Sequence, residues 1–132
     1  MSSIRFLAKA AAVATFVGAL SQTVNAADAD DYKFKTTQDL YNICSVKADA
    51  ADYVPALHAC RAFIEASVQY HDAVSDRKNL KRLICYTKDA TIADGREAFL
   101  AWAKKNAGNE KSMNEMPVIG LVRALSAKYP CK

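Results

Sequence analysis

The stretch DYVPALHACRAFIEASVQYHDAVS, residues 52–75, carries the longest helical periodicity in the chain. Its apolar and small side chains recur at spacings of four and three, and this predicts a long helix that buries a broad face. Asp52 is the predicted N-cap, and Pro55 then falls in the first turn, where a missing N–H has no partner to lose. We expect the helix to end near Ser75. The predicted buried face consists of Ala56, Leu57, Cys60, Phe63, Ile64, Ser67, Val68, Tyr70 and Val74.

Two further segments begin with a pattern that resembles a capping box. Thr36 and Asp39 stand three residues apart before a short helix, and Thr91 and Asp94 do the same before a longer one. In such a box each side chain accepts a hydrogen bond from the backbone N–H of the other residue. The apolar residues that follow share one helical side: Leu40, Tyr41, Ile43 and Cys44 in the first segment, and Ile92, Phe99, Trp102 and Ala103 in the second.

The last predicted helix has two possible starts. Ser112 and Asn114 can each serve as the N-cap, and Pro117 favours Asn114, which leaves the proline in the first turn. We expect this helix to follow Asn114 and to end at Tyr129. No alternating run is long enough for a strand. The predicted fold class is therefore all-α, a small helical bundle of four to five helices with two disulfides.

The first 26 residues have the order of a secretory signal peptide. Arg5 and Lys9 precede an uncharged apolar run over residues 10–20, and small residues lead up to Ala26. A membrane-spanning helix needs roughly 20 apolar residues, so we expect cleavage after Ala26 rather than an uncleaved anchor. The expected organisation is a signal peptide (1–26), a flexible leader (27–35) and a disulfide-stapled helical domain (36–132).

The length and charge of the expected mature chain limit the number of domains and the kinds of partner that it can have. Its 106 residues suffice for one domain. Residues 1–26 carry two basic residues and no acidic one, so their removal lowers the formal net charge from +4 to +2. This charge is too weak for the concentrated basic surface of a nucleic-acid-binding protein. We expect neither a nucleic acid nor, after signal cleavage, a membrane as a partner.

The cysteines predict covalent support for the fold. All four, Cys44, Cys60, Cys85 and Cys131, follow the predicted signal peptide. An even number in an exported chain indicates two disulfides. Four cysteines allow three pairings, and the sequence alone does not choose among them. We prefer Cys44–Cys60 with Cys85–Cys131, since the first pair would join two neighbouring helices.

The sequence shows no pattern typical of catalysis or metal binding. His58 lies on the polar side of the long helix and His71 near its buried edge, and there is no H-E-x-x-H motif. A G-x-S-x-G motif is also absent, and paired cysteines would not act as nucleophiles. We expect no enzyme activity, no metal and no cofactor. The alternative is a small hydrolase with Glu65 or His71 as its base.

One segment between the second and third helices has a distinct surface character. This basic connector holds Arg77, Lys78, Asn79, Lys81 and Arg82. A solvated loop is one interpretation. The other is a contact loop, because binding residues concentrate on loops that a rigid scaffold carries. We predict these five residues as the partner-binding site.

The order of these features resembles the Rap/Tai family of type VI secretion immunity proteins. Each motif alone is weak, whereas their order, the four cysteines and the Y-P-C ending together are more specific. The resemblance covers residues 36–131. It rests on Thr37-x-x-Leu40-Tyr41-x-x-Cys44, Cys60-x-x-Phe63-Ile64, Ile84-Cys85, Phe99-x-x-Trp102, Ala124-Leu125 and Tyr129-Pro130-Cys131.

The resemblance implies a function as well as a fold. It implies a periplasmic helical binding protein, often a homodimer, that inhibits a peptidoglycan-degrading effector, a cell-wall amidase or hydrolase, by occupying its active-site cleft. It also implies the pairing Cys44–Cys60 and Cys85–Cys131. A second hypothesis is a periplasmic envelope-stress or acid-protective chaperone, which would expose apolar surface when acidified.

Overall fold

The computed structural model describes residues 26–132, so the predicted signal peptide lies, except for Ala26, outside the described part. The all-α prediction is confirmed: residues 26–132 contain five α-helices and a 3-10 helix and no strand. No helix in this part of the chain is long and apolar enough to cross a membrane. The elements are the 3-10 helix Asp31–Lys33, α1 Thr37–Cys44, α2 Tyr53–Lys78, α3 Ile92–Asn106, α4 Glu110–Met113 and α5 Pro117–Lys128.

The short helix α1 lies at the centre of the bundle. It contacts α2, α3 and α5, and Leu40 and Ile43 are buried among them. The predicted capping box is present, because the Thr36 hydroxyl accepts from the Asp39 N–H at 3.1 Å and Asp39 Oδ2 accepts from the Thr36 N–H at 2.9 Å. An eight-residue helix is marginal in isolation, so the packing of three partners around α1 stabilises it.

Helix α3 secures the other end of α1. Its own capping box is also confirmed, with Thr91 and Asp94 in the predicted roles. From the second turn of α3, Arg96 donates two hydrogen bonds to the Cys44 carbonyl, from Nε at 2.9 Å and from Nη2 at 2.6 Å. Carbonyls in the last turn of a helix have no partner within the helix, so this guanidinium satisfies one of them.

The preferred disulfide pairing is confirmed. Cys44–Cys60 joins α1 to α2, and both cysteines are fully buried. Cys85–Cys131 joins the segment between α2 and α3 to the end of the chain. The Cys85 N–H also donates to the Tyr129 carbonyl at 3.0 Å, so a backbone hydrogen bond and a covalent bond hold the same two segments together.

The predicted flexible leader, residues 27–35, is packed in this structure. Its 3-10 helix contacts α1, and Asp31 is buried and accepts a hydrogen bond from Asn42 Nδ2 at 2.9 Å. The Ala27 N–H donates to Asp52 Oδ2 at 2.9 Å. Asp52 precedes α2 as predicted, but its side chain makes no hydrogen bond that caps the helix.

Helix α2 differs from its prediction in length and in its buried face. It continues to Lys78 instead of ending near Ser75, because Asn79 provides the left-handed residue that ends it, with φ of 48°. Ala56, Cys60 and Ile64 are buried as expected. Tyr70, predicted on the same face, is 73% exposed. Helix α2 extends beyond the elements that pack against it. Periodicity alone therefore overestimated the part of its surface that is buried.

The predicted start of the last helix is wrong. Asn114 ends α4, and α5 begins at Pro117 with Met116 as its N-cap. The physical reason lies in α1, whose Thr37 hydroxyl is within hydrogen-bonding distance of the Glu115 carbonyl at 3.1 Å and the Met116 carbonyl at 3.2 Å. These contacts hold residues 115 and 116 outside the helix, and Pro117 takes the first helical position, where it fits best.

Gly95 is buried within α3, and its replacement by alanine is expected to stabilise the protein. A Cβ built there would lie 3.5 Å from Ile64 Cγ2 and 3.6 Å from Leu125 Cδ2, which is ordinary van der Waals contact. Glycine inside a helix is less favourable than alanine by about 1 kcal/mol. We expect Gly95→Ala to raise the free energy of unfolding by about that amount in urea denaturation. A decrease would contradict the space seen at this position.

Candidate functional site

The basic connector comprises the end of α2 and the loop that follows it. Arg77 and Lys78 form the exposed last turn of the helix, where cations interact favourably with the helix dipole. Asn79 reverses the chain, and its N–H and that of Leu80 both donate to the Ser75 carbonyl. We call residues 77–83 the basic loop, because the structure adds Leu80 and Leu83 to the predicted residues.

Arg82 has a structural role within this loop. Its guanidinium donates to Asp72 Oδ1 at 3.1 Å and to Asp76 Oδ1 at 2.8 Å, and thereby ties the loop back onto α2. The hydrogen bond to Asp76 raises the pKa of Arg82, which stays charged. Of the five predicted contact residues, Arg82 is therefore already paired within the chain, whereas Arg77, Lys78, Asn79 and Lys81 are exposed.

A second attachment lies next to the first, at the C-terminal end of the basic loop. The Leu83 N–H donates to His71 Nε2 at 3.2 Å, and His71 Nδ1 lies 2.9 Å from Asp72 Oδ1. The next residue, Ile84, is buried in the core, and Cys85 carries the disulfide. The loop is consequently continuous with α2 at its N-terminal end. Its C-terminal end is held by the Arg82 ion pairs, the Leu83–His71 hydrogen bond and the Cys85 disulfide.

The surface of the basic loop is apolar as well as cationic. Leu80 is 55% exposed and Leu83 is 60% exposed, and both lie beside the exposed cations. Large aliphatic side chains in water are unfavourable by about 1.5–3 kcal/mol each compared with burial. An attached loop that presents such side chains between cations has the composition of a protein contact surface.

A second exposed apolar surface lies on the other side of α2. A groove of about 570 Å³ runs between this helix and the start of α5, and we call it the apolar groove. The rings of Phe34 and Phe63 stack there with centroids 5.1 Å apart. Tyr70 and Met116 are among its most exposed residues. Sequence analysis missed this groove, because its residues come from three segments and Tyr70 was assigned to the core.

The three side chains weighed for catalysis or metal binding, His58, His71 and Glu65, all lie on α2. His58 is exposed on the polar side of α2, and His71 is half-buried in its structural contact with Leu83. Glu65 is exposed and accepts a hydrogen bond from Gln69 at 3.3 Å. Within residues 26–132 no group of three or more His, Cys, Asp or Glu side chains is placed to hold a metal ion.

The sequence of the helical domain matches a known family. Residues 36–131 match the family described as Rap1a immunity proteins, and this range includes all five α-helices and both disulfides. The chain belongs to the Rap1a immunity protein family. No curated protein and no solved structure matches it.

Membership in the Rap1a family confirms the resemblance found in the sequence. It indicates an immunity protein that binds a protein effector of a type VI secretion system. Immunity proteins of this kind are generally not enzymes. The basic loop and the apolar groove are therefore the two candidate surfaces for contact between this Rap1a protein and other proteins.

Proposed function

We propose that this Rap1a protein acts in the periplasm and inhibits a peptidoglycan-degrading type VI effector by inserting the basic loop into its active-site cleft. The observation that carries the proposal is the exposure of Leu80 and Leu83 beside three cations, on a loop that continues α2 at one end and is held by Arg82 and Leu83 at the other. An attached loop loses little conformational entropy on binding, and this favours affinity. The exposed cations would complement an acidic rim around the cleft.

The proposed location rests on the sequence and the disulfides. The order of residues in positions 1–26 predicts export, and two disulfides persist in an oxidising compartment such as the periplasm. The test is the mass of the protein recovered from the periplasmic fraction. A chain that begins at Ala27 and lacks free thiols agrees with the proposal, whereas a full-length cytoplasmic chain with reduced cysteines contradicts it.

Charge reversal tests the role of the basic loop. We expect Arg77→Glu with Lys78→Glu and Lys81→Glu to weaken effector binding about tenfold, because each exposed cation contributes about 0.5 kcal/mol to such a contact. Titration calorimetry against a peptidoglycan-degrading effector recovered with this protein by pull-down from the periplasm measures the affinity. Release of dye-labelled peptidoglycan fragments by that effector measures the inhibition.

The chain offers a matched control for that experiment. Lys104 and Lys105 form the exposed last turn of α3, as Arg77 and Lys78 do in α2, and Lys111 is exposed in α4. Reversing these three lysines changes the net charge by the same amount and leaves the basic loop intact. Equal losses in the two variants would contradict a specific role of the loop. An effector that stays active in the complex would contradict occlusion of its active site.

The apolar groove supports a homodimer as a second contact. Tyr70, Met116 and Val118 are exposed together at this groove, and apolar patches of this kind mark protein interfaces. We expect wild-type protein to sediment as a dimer and Tyr70→Asp to sediment as a monomer. Val54→Asp is the control, since Val54 is 61% exposed at the other end of α2. A monomeric wild-type protein would overturn this assignment.

The chaperone hypothesis stays a prediction. It requires apolar surface that appears at low pH, and dye binding by the folded protein across an acid titration measures this. The apolar groove is already exposed in the folded chain. Dye binding that rises steeply as the pH falls would favour a chaperone over an immunity protein.

A further inference from the structure

A partly enclosed cavity of about 230 Å³ lies apart from both contact surfaces, between α2, α3, α5 and the segment after Cys85. The large aliphatic side chains of its wall come from Ile64, Val68, Ile92 and Leu125, and the polar ones from Asp72, Tyr86, Thr91 and Tyr129. An apolar cavity of about 150 Å³ in another protein is large enough to bind benzene. The space here is therefore sufficient for a small organic molecule.

One polar group in the wall has no partner within the chain. Tyr86 lines the cavity, and its hydroxyl oxygen is buried and makes no hydrogen bond to any of residues 26–132. Burial, with a smaller effect from the negative charge of Asp72, raises the pKa of Tyr86 to about 12. The hydroxyl thus keeps its proton at neutral pH. A buried donor without a partner is unfavourable, and an acceptor inside the cavity would satisfy it.

Gly95 keeps part of this space open. The position lies in the cavity wall, and the missing Cβ would lie between Ile64 and Leu125, which also line the cavity. Alanine fits there without a clash and is the better helix former. The glycine is therefore not required by packing of α3, and its effect is to leave room in the cavity. This observation is independent of Tyr86.

The charges around the cavity determine what it can accept. Asp72 is the one acidic residue in its wall, and its Oδ1 already lies 2.9 Å from His71 Nδ1 and 3.1 Å from Arg82 Nη1. An anionic ligand would find no cation in the wall, and a cationic one would find only Asp72, which is already paired with Arg82. Either would lose its hydration. An uncharged ligand avoids this loss.

We infer that this cavity is a binding site for a small, uncharged, mainly apolar molecule whose single acceptor atom accepts a hydrogen bond from the Tyr86 hydroxyl. The inference does not depend on effector binding, because the basic loop contributes only the Arg82 ion pair to the cavity surroundings. A preformed, mainly apolar site with a small number of well-placed polar groups is the usual form of a small-molecule site.

The test uses phenol and toluene, two probes of nearly equal shape of which only phenol offers an acceptor. Nuclear magnetic resonance titration of the wild-type protein is expected to show saturable shifts for both, with methyl signals of Ile64, Ile92 and Leu125 moving together. Tyr86→Phe is expected to weaken phenol binding about fivefold and to leave toluene binding unchanged, because it removes one hydrogen bond. This variant should fold, since the hydroxyl it removes has no partner in the described chain.

Two substitutions at Gly95 locate the site. Gly95→Leu places a side chain in the cavity and is expected to abolish binding of both probes, and Gly95→Ala, which should fold whatever the outcome for leucine, is expected to weaken both. Three results would overturn the inference: no saturable shifts at the cavity methyl groups, an equal effect of Tyr86→Phe on the two probes, or binding that Gly95→Ala leaves unchanged. The first would indicate that the cavity holds water alone.

Discussion

Replacing both Cys85 and Cys131 with serine is expected to lower the free energy of unfolding by about 4 kcal/mol. The two cysteines are 46 residues apart, and in the chain-entropy model a crosslink over such a loop restricts the unfolded chain by about that amount. Domains are stable by about 5–15 kcal/mol, so a large part of the total would be lost. Urea unfolding followed by circular dichroism measures the change.

The other disulfide provides the comparison. Cys44 and Cys60 are 16 residues apart, and the same model gives about 3 kcal/mol for their crosslink. Both are fully buried, so replacing them with alanine also removes core contacts. Only the Cys85–Cys131 variant should weaken effector binding as well, because that disulfide anchors the end of the basic loop. A loss below about 1 kcal/mol for Cys85 and Cys131 would contradict the entropic account.

Gly120→Ala is expected to destabilise the protein by about 2–3 kcal/mol. Gly120 is buried in α5, and a Cβ there would lie 2.3 Å from Thr37 Cγ2 and 2.6 Å from Thr37 Oγ1. Thr37 cannot simply rotate away, because its hydroxyl contacts the carbonyls of Glu115 and Met116. The added methyl group must therefore separate α1 from α5, and overpacking of this kind typically costs about 1–3 kcal/mol.

A double-mutant cycle separates this clash from any general effect on α5. Thr37→Ala removes both clashing atoms and leaves only its Cβ, at 3.1 Å. In that background Gly120→Ala should cost little, so the two changes should be non-additive by at least about 1 kcal/mol. Additive losses would show that the tight contact between α1 and α5 is not the cause. Gly95→Ala, the same change in α3, should have the opposite sign.

Local patterns predicted much of this fold. The two capping boxes depend on residues three positions apart, so Thr36–Asp39 and Thr91–Asp94 were readable from the sequence alone. The cysteine count indicated two disulfides, because export makes paired thiols the expected state. The preferred pairing needed an assumption about which helices are neighbours, and the structure confirmed it.

The errors arose where distant segments meet. The candidate N-caps and the position of Pro117 predicted that α5 starts after Asn114. Contacts from Thr37, more than seventy residues away, instead hold residues 115 and 116 outside the helix. Tyr70 follows the same periodicity as Ile64, yet nothing in the described chain covers it. Periodicity shows which side chains share a face, and it does not show how far a neighbouring element extends along that face.

The basic loop, too, could be predicted only in part from the sequence. Charge and position marked residues 77–82 as a surface segment, because a run of cations is seldom buried. The sequence could not tell that Arg82 is tied to Asp72 and Asp76 while Lys81 is exposed, since both cations look alike without their surroundings. Leu80 and Leu83 were overlooked for the converse reason, as aliphatic residues are expected inside.

Helix type and the helix starts with capping boxes follow from neighbouring residues, whose interactions span one or two turns of backbone, and the number of crosslinks follows from the cysteine count. Which carbonyls Thr37 reaches, how closely α5 approaches α1 at Gly120 and why Tyr86 borders a cavity depend on how the helices pack together. Packing is set by the combined shape of many side chains, so it emerges only when all the segments are in place.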